Sequence, residues 1–252
     1  MNQLPVVLHI PHSSRLIPPE FLPDILLDAA DLENELLLMT DAYTDEAAMG
    51  NWAKFVIKAP VSRLVVDVER FRNDADEPMS RVGMGAVYEK TQDGRRLRAI
   101  SAEKREAMLC QFYDPHHAVL AWSVNELLQR FRRCLIIDVH SFPSRPLPYE
   151  MDQAPDRPDI CLGTDDFHTP PQMAAAARRF FEKSGRQVKE NSPFAGSLVP
   201  LVHYGREKQV SSIMVEINRK LIMDESTGAR KETASEIFGL FPTLAECLLS
   251  MK

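Results

Sequence analysis

Apolar residues along this chain follow two rhythms. Short, nearly unbroken runs have the length and β-branched content of buried strands: VVLHI (6–10), KFVIKA (54–59), SRLVVDV (62–68), CLIIDVH (134–140), DICLG (159–163), RQVKEN (186–191) and SSIMVEIN (211–218). Longer segments between them repeat at helical spacing. Residues 31–53 place Leu32, Leu36, Met39 and Tyr43 on one helical face. Residues 101–131 are helical, with Pro115 marking a break or a new start. Thr169-Pro-Pro-Gln172 has the form of a capped helix start, and its helix runs to about Lys183. Thr233-Ala-Ser-Glu236 has the form of a capping box for a last helix ending near Met251. Strands alternating with helices predict a three-layer α/β/α fold around a central mixed, mostly parallel sheet. There is no internal repeat, low-complexity tract or Gly/Ser linker, so residues 1–252 are expected to form a single domain. In such sheets ligands sit beyond the carboxyl ends of the strands, and the search for chemistry starts there.

Those ends are polar. The first strand runs into His9-Ile-Pro-His12-Ser-Ser, and the 62–68 segment into Glu69-Arg70-Phe-Arg-Asn73-Asp74. The 134–140 strand ends in Asp138-Val-His140-Ser, and the last carries Glu216, Asn218 and Arg219. His12 and His140 each directly follow an apolar strand, where a neutral imidazole suits zinc. A carboxylate ligand can come from Thr40-Asp41-Ala-Tyr-Thr-Asp45-Glu46, with Asp41, Asp45 and Glu46 all open on spacing alone. Two imidazoles, a carboxylate and an open position make a hydrolytic zinc site, although no HExxH-type local signature is present. Asp138, two residues before His140, shares its strand face; it either orients a ligand or pairs with an arginine. Glu216, inside a β-rich run, is costly to bury unpaired, and burial raises its pKa as a general base requires. A strand position facing solvent, or pairing with Arg219, is the alternative. Arg63, Arg70 and Arg81 are candidates for bidentate recognition of an anionic substrate.

Composition narrows the field. The chain is 44% hydrophobic and 26% charged, as expected of a water-soluble globular fold. A net charge of −6 and a pI of about 5.7 argue against a general nucleic-acid binder but leave room for a local cationic pocket. Cys110, Cys134, Cys161 and Cys247 form no CxxC pair, so a thiolate zinc site has no support. No apolar run approaches the ~20 residues of a membrane span, and the first residues lack a signal-peptide pattern, so a cytoplasmic location is expected. Oligomeric state is not legible.

IPHSS (10–14), TDAYTDE (40–46), SRLVVDVERFRND (62–74), YDPHHAVL (113–120), IIDVHS (136–141), DICLGT (159–164), NSPFAGSLVPLVHYGR (191–206) and VEINRKLIMDE (215–225), in this order, resemble the N-formylglutamate amidohydrolase family. The resemblance implies a zinc-carboxypeptidase-like α/β hydrolase holding one divalent metal, Zn²⁺, on His12, Asp41 and His140. It places Glu216 as general base. It places Arg63, Arg70 and Asn73 where substrate carboxylate is recognised or the scissile carbonyl polarised. His203 matches a family position to which the resemblance assigns no role; it and Arg81, an arginine in a glycine-containing loop, are further candidate substrate contacts. The implied reaction is hydrolysis of N-formyl-L-glutamate, or a similar small anionic N-acyl amino acid, to formate and L-glutamate, as in histidine degradation. A zinc hydrolase of other N-acyl amino acids or peptides, and a metal-free anion-binding protein, are the alternatives.

Overall fold

The computed structural model describes residues 3–251 and contains six strands: β1 (Leu4–Ile10), β2 (Ala53–Lys58), β3 (Cys134–Phe142), β4 (Ile160–Gly163), β5 (Val188–Glu190) and β6 (Val210–Asn218). They form one sheet in the order β2-β1-β3-β6-β4-β5. Neighbours are parallel except β4 and β6, which run antiparallel, so the sheet is mixed and mostly parallel as the strand–helix alternation predicts. The helices are α1 (Ala29–Met39), α2 (Ala102–Met108), α3 (Asp114–Phe131), α4 (Pro171–Lys183), α5 (Thr233–Gly239) and α6 (Phe241–Leu249).

Strand alternation sorts the central residues into two cores. Val6, Leu8, Ile137, Val139, Ile213 and Val215 pack with Phe181 of α4 and with residues of α5 and α6. Val7, Cys134, Ile136 and Val210 pack on the opposite face against Leu120, Val124 and Leu127 of α3. On this second face the side chains change character along the strands. Apolar residues at the amino ends give way to His9, Asp138, His140 and Glu216 toward the carboxyl ends. In-register pairing puts His9 beside Asp138 and His140 beside Glu216, so each pair shares a face of adjacent parallel strands. Every one of these polar residues is buried.

Several expectations change on folding. The helix expected over 31–53 stops at Met39; Asp28 caps its start by accepting from the Asp31 amide at 2.9 Å. The chain then leaves the helix through an extended Thr40 and a left-handed Tyr43 (φ 68°) before a short 3₁₀ turn over Thr44–Ala48. The 62–68 segment is not a strand. Its backbone closes turns, such as the Val65 amide to the Ser62 carbonyl at 2.8 Å, while Val65, Val66 and Val68 are buried against Ala86, Val87, Met108 and Tyr113. Its β-branched residues report burial rather than a place in the sheet. In the 101–131 helix Pro115 marks a new start, in the first turn of α3, and the break before it is a wider π turn over Leu109–Tyr113. Neither threonine caps its helix: the Thr169 hydroxyl donates to the Ser212 carbonyl at 2.6 Å, and the Thr233 hydroxyl to that of Leu221. The last helical segment is two helices, α5 and α6.

Candidate active site

A crevice of about 490 Å³ opens at the carboxyl ends of β1, β3 and β6. His12 follows β1, His140 and Glu216 each lie two residues before the ends of β3 and β6, and all three line it. Asp41 arrives from the break after α1, where its amide donates to the His12 carbonyl at 3.0 Å. A continuous helix over 31–53 would carry Asp41 past this point.

His12, Asp41 and His140 each offer a ligand atom, and the three atoms lie within 4.8 Å of one another. The Asp41 Oδ2 is 3.5 Å from His12 Nδ1 and 3.3 Å from His140 Nδ1. The opposite nitrogens face buried carboxylates: His12 Nε2 lies 2.9 Å from Asp67 Oδ1, and His140 Nε2 lies 3.1 Å from Asp138 Oδ1. Carboxylates at the Nε2 positions favour protons there, so Nδ1 is the atom of each ring that a cation at the shared point would meet. His12 Nδ1 is buried without a hydrogen-bond partner among the described residues. Arg219 donates to Asp41 Oδ1 at 2.9 Å, and its other contacts go to the Leu38 carbonyl and to Ser141, so Oδ2 is the oxygen left facing the histidines. Two imidazole nitrogens, one carboxylate oxygen and an orphaned buried acceptor suit a divalent metal with an open position.

The charges follow from the same geometry. Burial works against an ionised Asp41, but the two histidines and Arg219 outweigh it and hold the carboxyl well below its usual range. Asp67 is likewise held low against its burial, by Arg63, His12 and Arg70. Burial would lower the His140 pKa, yet Asp138, Asp41 and Glu216 raise it well above the ordinary histidine value. Glu216 goes the other way. Burial, with the Asp41 and Asp138 charges, lifts it to about 8 against the opposing pull of His140 and Arg219. Its Oε2 is buried and receives no hydrogen bond.

Arg63 and Arg70 also line the crevice. Arg63 donates from Nε and Nη2 to Asp67 Oδ2 and from Nε to the Tyr88 hydroxyl, which itself donates to Asp67 at 2.5 Å. A strand would separate residues 63 and 67 by about 13 Å; the turn closes them to a 2.8 Å ion pair. Arg70 is less committed: its Nε is 3.6 Å from Asp67 Oδ2, too far for a hydrogen bond, and is buried without a partner.

Three of the residues expected at the site are not brought there. The Asn73 amide donates to Asp76 at 3.1 Å on an exposed loop. Arg81 is exposed in the short 3₁₀ turn Pro78–Val82, and His203 lies in the turn after Pro200; neither lines the crevice. Arg219, by contrast, is a full part of the site, paired with Asp41 rather than with Glu216.

A second, largely buried cluster lies beside the first. His9 Nδ1 is 2.8 Å from Asp138 Oδ1 and 3.2 Å from Glu69 Oε1, and His9 Nε2 is 2.8 Å from His116 Nε2 in α3. Burial opposes a charge on His9, but Asp138 and Glu69 lift its pKa to about 9. Burial, together with the charge on His9, pushes His116 down to about 2, so the neutral ring accepts from the charged one. Asp138 therefore serves two histidines rather than an arginine. His9 stood in the sequence as a polar residue on the buried face of a strand; its partners, 107 and 129 residues away, left no local sign.

Comparison with known proteins identifies the fold and the family. The crystal structure of N-formylglutamate amidohydrolase from Ralstonia eutropha JMP134 is similar with a TM-score of 0.83 at 23% identity, covering 96% of this chain and 92% of that one. The gene product Atu2144 from Agrobacterium tumefaciens is similar with a TM-score of 0.70 at 20% identity, covering 97% of this chain and 90% of that one. At such identities the likeness establishes a shared fold. No curated protein matches the chain in sequence. Residues 4–223 match the profile of the N-formylglutamate amidohydrolase family, nearly the whole span that carries the sheet and crevice, and the chain belongs to that family of hydrolases.

Proposed function

We propose that the protein is a metal-dependent amidohydrolase of small anionic N-acyl amino acids, with N-formyl-L-glutamate as the first substrate to test. The observation that carries this is the convergence of His12, Asp41 and His140 next to a buried Glu216 that no donor satisfies. His12, His140 and Asp41 would hold a divalent metal of the Zn²⁺ type, which would supply Lewis acidity to acidify water, polarise a carbonyl and favour the ionised form of Glu216.

The chain's own groups do the rest. Glu216 takes a proton from water as it attacks the amide carbon and then delivers it to the departing nitrogen; a carboxyl poised near neutrality can do both. Arg70, whose buried Nε has no partner, is placed to bind a substrate carboxylate, and the lost hydration of both ions makes that pairing selective. Arg63 is held by Asp67 and Tyr88 through Nε and Nη2, which leaves Nη1 to approach the oxygen of the scissile carbonyl. Arg219 and Asp67 position ligands and touch no substrate. The loop after Pro143 walls the crevice with Leu147, Tyr149 and Glu150, which limits the entry of bulk water.

The test is formate release from N-formyl-L-glutamate by protein reconstituted with Zn²⁺ or Co²⁺, beside a panel of longer N-acyl amino acids. Turnover of the panel without N-formyl-L-glutamate corrects the substrate. Absence of any amide hydrolysis by folded, metal-loaded protein overturns the reading.

A further inference from the structure

We propose that His9 is a positioning residue for His140, acting through the carboxylate of Asp138. The inference rests on the reading of His12, Asp41 and His140 as a metal site. His9 is wholly buried, and both ring nitrogens are engaged with different layers of the fold: Nε2 with His116 of α3, and Nδ1 with Asp138 of β3, each at 2.8 Å. The same Asp138 oxygen that accepts from His9 lies 3.1 Å from His140 Nε2, a close charge contact rather than a well-aligned hydrogen bond.

A carboxylate on its own turns easily about its last torsion. Asp138 is prevented from doing so because Oδ1 is pinned from β1 by a ring that α3 holds in place. With that oxygen fixed, His140 keeps its Nε2 toward Asp138 and its Nδ1 toward Asp41 and His12. The other ligand histidine has an equivalent support. Asp67, behind His12, is fixed by Arg63 and by the Tyr88 hydroxyl. Each ligand ring thus has a carboxylate behind it, and each carboxylate has its own anchor. The π turn over Leu109–Tyr113 belongs to this device, since its extra residue re-phases the helix just before His116. A histidine that only filled space between β1 and α3 would be replaceable by an apolar side chain, which avoids the cost of burying a polar ring.

The experiment measures zinc affinity by competition with a chromophoric chelator, and the visible spectrum of the Co²⁺-substituted protein. It uses full-length wild type, His9→Leu, His9→Gln, His116→Asn, Asp138→Asn and the His9→Leu/Asp138→Asn double variant. Loss of support behind a ligand histidine is expected to weaken zinc binding about 10–100-fold in His9→Leu and to alter the Co²⁺ spectrum. His9→Gln, which keeps a donor toward Asp138, recovers part of the affinity. In the Asp138→Asn background His9→Leu adds little, because the two act in series. His116→Asn, one step further out, weakens binding less and keeps the test valid should His9→Leu fail to fold. Folded variants at His9 and His116 with wild-type affinity and spectrum overturn the proposal, as does full additivity with Asp138→Asn. A wild type that binds no zinc overturns the metal reading itself.

Discussion

The two histidine–carboxylate clusters lie side by side, each joining the chain at or just after β1 to β3 and each made of imidazole and carboxylate groups, yet their spacing differs. In the His12–Asp41–His140 cluster the facing nitrogen and oxygen atoms stand 3.3–3.5 Å apart. In the His9–Glu69–Asp138 cluster they stand 2.8–3.2 Å apart. The second set has hydrogen-bond spacing, and a proton on His9 satisfies it. The first set is looser: the one Asp41 oxygen is shared between two imidazole nitrogens at longer range, and His12 Nδ1 is left without a partner. One cluster is closed by a proton; the other is open in the way a cation would close. Side-chain type nominates both, and only the geometry of the second nitrogen on each ring separates them.

The largest effect expected from breaking this contrast is loss of the metal. His12→Ala and His140→Ala should reduce bound metal from about one per chain to near zero, measured by elemental analysis of dialysed protein. Metal retained at full occupancy in both variants would remove the open cluster from the account. Next in size, Glu216→Gln should keep the metal and lose about 10²–10⁴-fold in kcat, since only the proton-transfer group is altered. Unchanged turnover in that variant assigns the base elsewhere. Smaller again, Arg70→Ala should lower kcat/KM about 10–100-fold for substrates with a free carboxylate, chiefly through KM, and far less for their amides. An equal loss on both substrate types would deny Arg70 its role.

The smallest effect lies outside both clusters and shows what an unanswered buried acid does to stability. Glu35, in α1, accepts from the Gln92 amide at 2.7 Å through Oε1, while its Oε2 has no partner. Burial raises its pKa from the ordinary 4.5 to about 7. The folded state therefore binds a proton that the unfolded chain has already released. The stability Glu35 contributes is fully present below about pH 4.5, declines as the pH rises, and is gone above about pH 7. Glu35→Gln should flatten that decline by about 1–2 kcal/mol in denaturant titrations of metal-free protein between pH 5 and 8. An identical pH slope in wild type and variant would show that Glu35 is ionised in the folded state.

What the sequence disclosed follows the same division. His12, His140 and Glu216 were legible because they are polar residues at the ends of apolar strands, and parallel sheets gather such ends. Asp41 was legible only as one of three acids, since the choice depends on where α1 stops. Arg63 and Asp67 were visible as charged residues, but their alternation in SRLVVDV imitates a strand and hides the turn that pairs them. Asn73, Arg81 and His203 sit beside the right segments on stretches that fold away from the crevice. Arg219 stood next to the expected partner Glu216 and meets Asp41 instead. His9 and His116 were the least legible, because each is explained only by a partner in another layer of the fold.

The most direct test titrates metal-free wild type with Zn²⁺ and follows bound zinc and formate released from N-formyl-L-glutamate in the same samples. The two are predicted to rise together and to level off at about one zinc per chain. Full turnover in metal-free protein under a chelator, or zinc bound at that ratio without hydrolysis of any N-acyl amino acid, would contradict the account.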